Sequence, residues 1–92
     1  MNFFKSIDDK LEEIGFHKEE ENDFICRYIR NDKNYNQCVD ICHKNNGKHI
    51  LQSYDKDLFD SEGVGNTCVG LTEREMKLFR RKMIQKFGRS GM

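Results

Sequence analysis

Proline is absent from this chain of 92 residues, and its acidic and basic residues balance to a net charge of zero. Without proline there is no proline-rich linker or recognition segment. No apolar run approaches the roughly 20 residues of a membrane-spanning helix, and the first residues do not resemble a signal peptide. We therefore expect a cytoplasmic protein with reduced thiols. The charge balance also argues against a dedicated nucleic-acid-binding domain, which usually carries a basic excess.

The composition suits one small globular domain. Apolar residues make up 36% and charged residues 35% of the chain. The hydrophobic core must therefore be thin, and a homodimer would be one way to supplement it. The plentiful aromatic residues, 11% of the chain, argue against disorder. We predict a single α+β domain over residues 1–88 and a flexible tail at 89–92.

Apolar residues recur at helical spacing at both ends of the chain. The two stripes are Phe4, Ile7, Leu11 and Ile14 near the N-terminus, and Met76, Phe79, Met83 and Phe87 near the C-terminus. Asn2 is a candidate cap for the first helix, which should end at Gly15 with Phe16 folded back on its last turn. The second helix should begin at the capping box Thr72-Glu73-Arg74-Glu75 and end at Gly88.

Three segments between the helices have the alternation and residue types of strands, namely 24–30, 35–43 and 48–54. The hairpin signal Asn45-Asn46-Gly47 separates the last two. A helix over 35–43 stays open, because Tyr35, Cys38 and Cys42 also fit a helical stripe. Residues 17–23 and 55–67 are predicted as loops, the latter anchored by Leu58 and Phe59. The predicted architecture is α-β-β-β-α, a three-stranded antiparallel sheet with two helices packed on one face.

The charges are lopsided along the chain. Residues 1–23 hold three Lys against eight Asp or Glu, and residues 72–92 hold seven Lys or Arg against two Glu. One interpretation is an acidic rim facing a basic one across two adjacent helices. The other is a binding patch on the second helix, formed by Lys77, Arg80, Arg81, Lys82 and Lys86. An acidic patch that mimics nucleic acid is the mirror possibility.

Four cysteines and two histidines are candidate zinc ligands: Cys26, Cys38, Cys42, Cys68, His43 and His49. If 35–43 is a strand, Cys38 and Cys42 are about 13 Å apart, too far to share one zinc ion. A set built on Cys42 or His43 with His49 across the hairpin, completed by Cys26 or Cys68, stays open. We expect free thiols, no metal and no cofactor.

Other motifs match poorly. The carboxylates of 55–62 resemble a calcium loop, but Phe59 and Asp60 stand where an oxygen ligand and a glycine are needed. Residues 63–67 resemble a phosphate-binding loop without its lysine. Tyr28, Tyr35 and Tyr54 could stack on bases of single-stranded nucleic acid if one sheet face is open. Tyrosines that border the core are the plainer interpretation.

The stretches HKNNGKHILQSYDKD and NTCVGLTEREMKLFRRKM resemble small uncharacterised proteins encoded by phages and prophages of Gram-positive bacteria. The resemblance implies a cytosolic accessory protein that binds a host or phage protein. It carries no catalytic motif, so it implies no functional residues. We therefore expect a non-enzymatic protein that binds another protein. A nucleic-acid-binding module that uses the basic C-terminal helix is the alternative.

Overall fold

The structure is a computed structural model that describes residues 5–44, 48–62 and 67–88. It confirms a small α+β fold with an antiparallel sheet. In chain order the elements are α1 (Ile7–Glu13), β1 (His17–Glu21), β2 (Ile25–Asn31), β3 (Asn36–His43), β4 (His49–Asp55), α2 (Lys56–Glu62) and α3 (Glu73–Phe87).

The sheet has four strands, not the three predicted. Its order is β1-β2-β3-β4, and every neighbouring pair is antiparallel. The extra strand is β1, which lies in the segment 17–23 that we expected to be a loop. All five of its residues are exposed, so it has no apolar alternation that could reveal a strand. The segment is a strand because its backbone pairs with β2. Charged side chains are typical of edge strands, where they hinder pairing with other chains.

The three predicted strands coincide with β2, β3 and β4 to within one residue at each end. The helical alternative for 35–43 is wrong, because β3 pairs with β2 from Asn36 to Cys42 and with β4 from Gln37 to His43. The predicted Asn45–Gly47 turn lies outside the described residues.

The prediction of an irregular loop over 55–67 is also wrong in part, because α2 occupies Lys56–Glu62. The side chain of Asp55 caps this helix by accepting the backbone N–H groups of Asp57 and Leu58 at 3.0 and 3.2 Å. A helix of seven residues is too short to show an apolar period. Its Phe59 ring packs against Tyr54 with centroids 5.1 Å apart.

Helices α1 and α3 cover one face of the sheet, and the hydrophobic core lies between them and it. The core consists of Leu11, Phe16, Cys26, Tyr28, Val39, Ile41, Leu78, Phe79 and Met83. The ring of Phe79 meets those of Phe16 and Tyr28 edge-on, with centroids 5.0 and 5.5 Å away. Side chains alternate along a strand, so Arg27, Asp40 and Tyr54 lie on the second face, where α2 packs at one end.

The predicted helix ends are largely confirmed. Thr72 and Glu75 form the capping box of α3, and Gly15 and Gly88 follow the helices with φ angles of 95° and 81°, a conformation that favours glycine. The cap predicted at Asn2 lies outside the described residues. The described α1 begins after Ser6, which forms a capping box with Asp9.

The guanidinium of Arg30 joins four parts of the fold. It donates hydrogen bonds to the carbonyl oxygen of Ile14 after α1 at 3.2 Å, to Glu75 of α3 at 2.7 Å and to Gln37 of β3 at 2.9 Å. It also lies over the ring of Phe16, 4.1 Å from the centroid. Glu75 and Gln37 are both buried, so this one cation satisfies two polar groups that water cannot reach.

A second cluster fastens α1 and β1 to α3 and corresponds to the acidic and basic rims expected from the sequence. Asp8 accepts hydrogen bonds from Tyr28 at 2.5 Å, Lys18 at 3.1 Å and Lys82 at 3.4 Å. Glu21 accepts from Lys18 at 2.8 Å and from Lys86 at 3.1 Å. We call these residues the rim cluster.

The rim cluster favours ionised carboxylates. Burial alone would raise the pKa of Asp8, but the hydrogen bonds from Tyr28 and Lys18 outweigh it and lower the pKa on balance. The hydrogen bond from Lys18 is the main cause of a lowered pKa at Glu21. The unfolded chain therefore binds more protons in acid than the folded chain does.

We expect Asp8→Asn to lower the free energy of unfolding at pH 7 by about 2 kcal/mol, because it removes the charge shared by Tyr28, Lys18 and Lys82. Stability of the wild type should be complete at neutral pH and should fall as the pH drops below about 4.5, through the lowered pKa values. Urea unfolding at pH 7 and at pH 3 measures both effects, and the loss in acid should be smaller for Asp8→Asn.

Asp23→Asn is the matched control, since Asp23 is exposed and makes no ion pair or hydrogen bond to another described side chain. It should change stability by less than about 0.5 kcal/mol. Equal destabilisation by the two substitutions would contradict the role given to Asp8.

Candidate binding surface at the outer edge of β4

The two edges of the sheet differ in chemistry. The β1 edge carries only exposed residues, all of them Glu, Lys or His. The β4 edge is partly covered by residues 67–69, where Tyr54 and Cys68 form an antiparallel bridge. Its two hydrogen bonds run from the N–H of Asp55 to Thr67 at 2.8 Å and from the N–H of Val69 to Ser53 at 3.0 Å. This cover ends at Ser53.

The backbone of β4 before Ser53 lies at the outer edge of the sheet formed by the described residues. In an antiparallel sheet the N–H and C=O groups of alternate residues point to opposite sides of a strand. The C=O group of Ser53 and the N–H group of Asp55 form hydrogen bonds with residues 67–69 on the outer side of β4. Every second residue of the strand faces the same side, so the backbone groups of His49 and Leu51 also face outward. Within the described residues no strand pairs with them. Such a row of backbone groups is a template for a further strand.

An apolar groove runs along this stretch. Two adjoining cavities of about 610 and 400 Å³ meet at Leu51 and Met76; together we call them the edge groove. Toward α3 it is lined by His49, Leu51, Met76, Arg80 and Met83, and toward α2 by Tyr54, Phe59, Cys68, Val69 and Leu71. Met76 and Phe59 are each 48% exposed. These large apolar side chains are therefore already at the surface.

A polar cluster on the second face of the sheet closes one end of the edge groove. Asp40 accepts two hydrogen bonds from Arg27, at 2.7 and 3.1 Å, and one from the hydroxyl of Tyr54 at 2.8 Å. The thiol of Cys38 lies 3.1 Å from the same hydroxyl. Only 6% of the Asp40 side chain is exposed. Its charge is therefore matched by Arg27 before any ligand arrives.

Arg27, Cys38 and Tyr54 in this cluster each keep a proton at neutral pH. Burial raises the pKa of Cys38 to about 11, and burial followed by the hydrogen bonds to Cys38 and Asp40 raises that of Tyr54. The hydrogen bond to Asp40 raises the pKa of Arg27. At neutral pH the thiol and phenol are therefore neutral and Arg27 is charged.

The predicted basic patch does not form one surface. Lys82 and Lys86 point into the rim cluster, and their side chains are only 9% and 12% exposed. Lys77 pairs with Glu73 at 3.1 Å. Arg80 borders the edge groove, while Arg81 lies on the opposite side of α3, toward α1. Successive helical positions are rotated by about 100°, so neighbours in the sequence separate.

The candidate metal ligands also separate. His43 and His49 pair across the strands with their Nδ1 atoms 3.1 Å apart, but Cys26 is buried in the core and Cys42 lies on the other face of the sheet. Among residues 5–44, 48–62 and 67–88, no group of three His, Cys, Asp or Glu side chains could hold a metal ion. All four cysteines are free thiols, as predicted.

Two of the three tyrosines considered for base stacking, Tyr28 and Tyr54, are engaged elsewhere. Tyr28 is buried in the core, 1% exposed, so the stacking role is wrong for this residue. Tyr54 is held in the polar cluster.

The carboxylate of Asp55, in the segment compared with a calcium loop, serves as the cap of α2. The glycine-rich stretch at 63–66 lies outside the described residues.

Sequence reasoning missed the main residues of the edge groove. Met76 belongs to the apolar stripe of α3, yet it is exposed beside Leu51. The stripe by itself does not tell which of its members packs against the sheet. The residue types of β4 do not show which of its backbone groups face outward.

Comparisons with models of known protein families, with curated proteins and with solved structures gave no match. No helix in the described part of the chain is long and apolar enough to cross a membrane.

We expect the four thiols to differ sharply in reactivity. Cys68 is exposed at the edge groove, whereas Cys26 and Cys38 are buried. At pH 8 a thiol with a pKa near 11 is ionised in about one molecule in a thousand, and only the thiolate reacts. Iodoacetamide should therefore modify Cys68 first in the folded protein and Cys38 only after unfolding. Peptide mapping by mass spectrometry measures each rate.

The same reaction in urea is the control, because all four thiols should then react at similar rates. Modification of Cys38 as fast as Cys68 in the folded protein would contradict the closed polar cluster.

Proposed function

We propose that this protein is a non-enzymatic binding protein that takes an extended segment of a partner protein along the outer edge of β4. The observation that carries the proposal is the coincidence of outward-facing backbone groups at His49 and Leu51 with the apolar edge groove beside them. Strand addition uses these two elements together, because backbone hydrogen bonds supply affinity and side-chain pockets supply specificity.

The geometry favours an extended segment as the occupant. Residues 67–69 already run antiparallel to the end of β4, and a segment placed beside His49 to Ser53 would continue that line. Five residues of strand span about 17 Å. Alternate side chains of the segment would enter the groove beside Leu51 and Met76, so they should be apolar.

The charges favour a different protein over a second copy of this chain. Arg80 borders the groove and makes no ion pair or hydrogen bond within the described residues. If two copies paired through β4 about a two-fold axis at Leu51, their Arg80 side chains would come together on the same face, and like charges repel. We therefore propose a partner segment with a carboxylate opposite Arg80.

The resemblance to phage and prophage proteins fits a protein of this kind. A small accessory protein can redirect a host or phage protein by occupying one of its extended segments. A cytoplasmic location belongs to the same proposal.

Affinity capture from host lysate, with and without nuclease, tests the proposal when wild type is compared with Met76→Glu. The substitution places a charge in the apolar groove without removing a core side chain. We expect it to lower recovery of the partner at least tenfold, equivalent to about 1.4 kcal/mol, because it desolvates a carboxylate against apolar surface. Hydrogen exchange of the purified pair should show new protection at Leu51 and Ser53.

Phe24→Glu is the matched control, since Phe24 is 64% exposed and lies outside the groove; it should leave capture unchanged. Equal recovery with Met76→Glu, or partners lost only on nuclease treatment, would contradict the proposal. So would a doubled molar mass by light scattering that Met76→Glu abolishes, because the occupant would then be a second copy.

A further inference from the structure

A second groove, between α1 and α3, is lined almost entirely by cations. Its basic side chains are Lys5, Lys10, Arg74, Lys77 and Arg81, and we call it the helix groove. Its volume is about 360 Å³. Glu13 is the carboxylate among its lining residues, and it is already bonded to Lys5. Lys77 is likewise paired with Glu73, so the positive excess of the groove rests on Lys10, Arg74 and Arg81, although the whole chain is neutral.

Two other basic side chains of α3 are already paired with carboxylates outside the helix groove. The rim cluster matches Lys82 and Lys86 with Asp8 and Glu21. In contrast, Lys10, Arg74 and Arg81 make no ion pair or side-chain hydrogen bond within the described part of the chain. The acidic residues of the N-terminal segment thus neutralise one side of α3 and leave the other side charged.

The helix dipole does not explain these cations. Basic residues stabilise the last turn of a helix, and near its first turn they are unfavourable. Arg74 lies in the first turn of α3 and Lys77 follows one turn later. The ion pair with Glu73 favours Lys77 at its position. Arg74 has no ion pair among the described residues, so a bound anion would offset the unfavourable interaction of its charge with the helix dipole.

We propose that the helix groove binds the phosphodiester backbone of a nucleic acid. Arg74, Lys77 and Arg81 follow one line along α3, and seven helical residues rise about 10 Å. Phosphates of one strand are spaced about 3.4 Å apart along a duplex axis, so the line spans about three of them. Arginine also matches phosphate oxygens with two parallel hydrogen bonds.

The lining favours nucleic acid over an acidic protein. Protein interfaces usually have an apolar centre poor in charges, whereas the apolar lining of this groove is the mostly buried Leu78. Among residues 5–44, 48–62 and 67–88, no aromatic side chain lines the groove, so these residues offer no platform for stacking bases. The expected binding is therefore independent of sequence and strongly dependent on salt.

Fluorescence anisotropy with labelled 20-nucleotide probes tests the proposal, using duplex DNA, single-stranded DNA and single-stranded RNA at 50 and 200 mM salt. The wild type should bind at least one probe, with affinity falling as salt rises. Arg74→Gln/Arg81→Gln should weaken binding roughly tenfold and reduce the slope of log K against log salt by about 1 to 2. Both residues are exposed, so the variant should melt like the wild type.

Lys33→Gln/Lys44→Gln removes the same charge from exposed positions outside both grooves and should bind within twofold of wild type. Met76→Glu should also bind the probes normally, which separates this groove from the edge groove. Absence of binding to all three probes at 50 mM salt, or equal losses in both double variants, would overturn the proposal. Binding of poly-glutamate but not of the probes would do so as well, in favour of an acidic protein segment.

Discussion

The partly buried guanidinium of Arg30 forms the interaction on which the arrangement of the helices depends. One oxygen of Glu75 caps α3 by accepting the N–H of Thr72 at 2.9 Å, and the other accepts Arg30 at 2.7 Å. The start of α3 is thereby fixed to β2. The same cation holds the end of α1 through Ile14. Both grooves lie along α3, so their widths follow from where this ion pair places the helix.

The rim cluster decides which cations remain available for binding. Lys82 and Lys86 belong by sequence to the basic C-terminal segment, but the carboxylates of Asp8 and Glu21 neutralise them from the other end of the chain. The charges of the whole chain sum to zero, but the unpaired charges are distributed unevenly over the surface. Arg80 and Arg81 are neighbours in sequence, yet one borders the edge groove and the other the helix groove.

Local patterns predicted much of the fold. Alternation identified β2, β3 and β4, and the Thr72 capping box placed the start of α3. The elements that were missed are those without a local pattern: β1 is exposed at every position, and α2 has only seven residues. The binding surfaces depend on contacts between distant segments. The sequence placed Met76 in one stripe with the core residue Phe79 and grouped Lys82 with Arg81, because spacing does not show which side of a helix packs against another element.

The contrast between the two sheet edges limits how this protein can assemble. If both edges accepted strands, each copy could add to the next and the sheet could lengthen without end. The glutamates of β1 make that edge unsuited to pairing, while β4 is open only over a short stretch. If the outer edge of β4 takes a partner strand as proposed, assembly through the sheet stops after that single addition. The proposed stoichiometry is then one occupant per chain, a fixed ratio of this protein to its target.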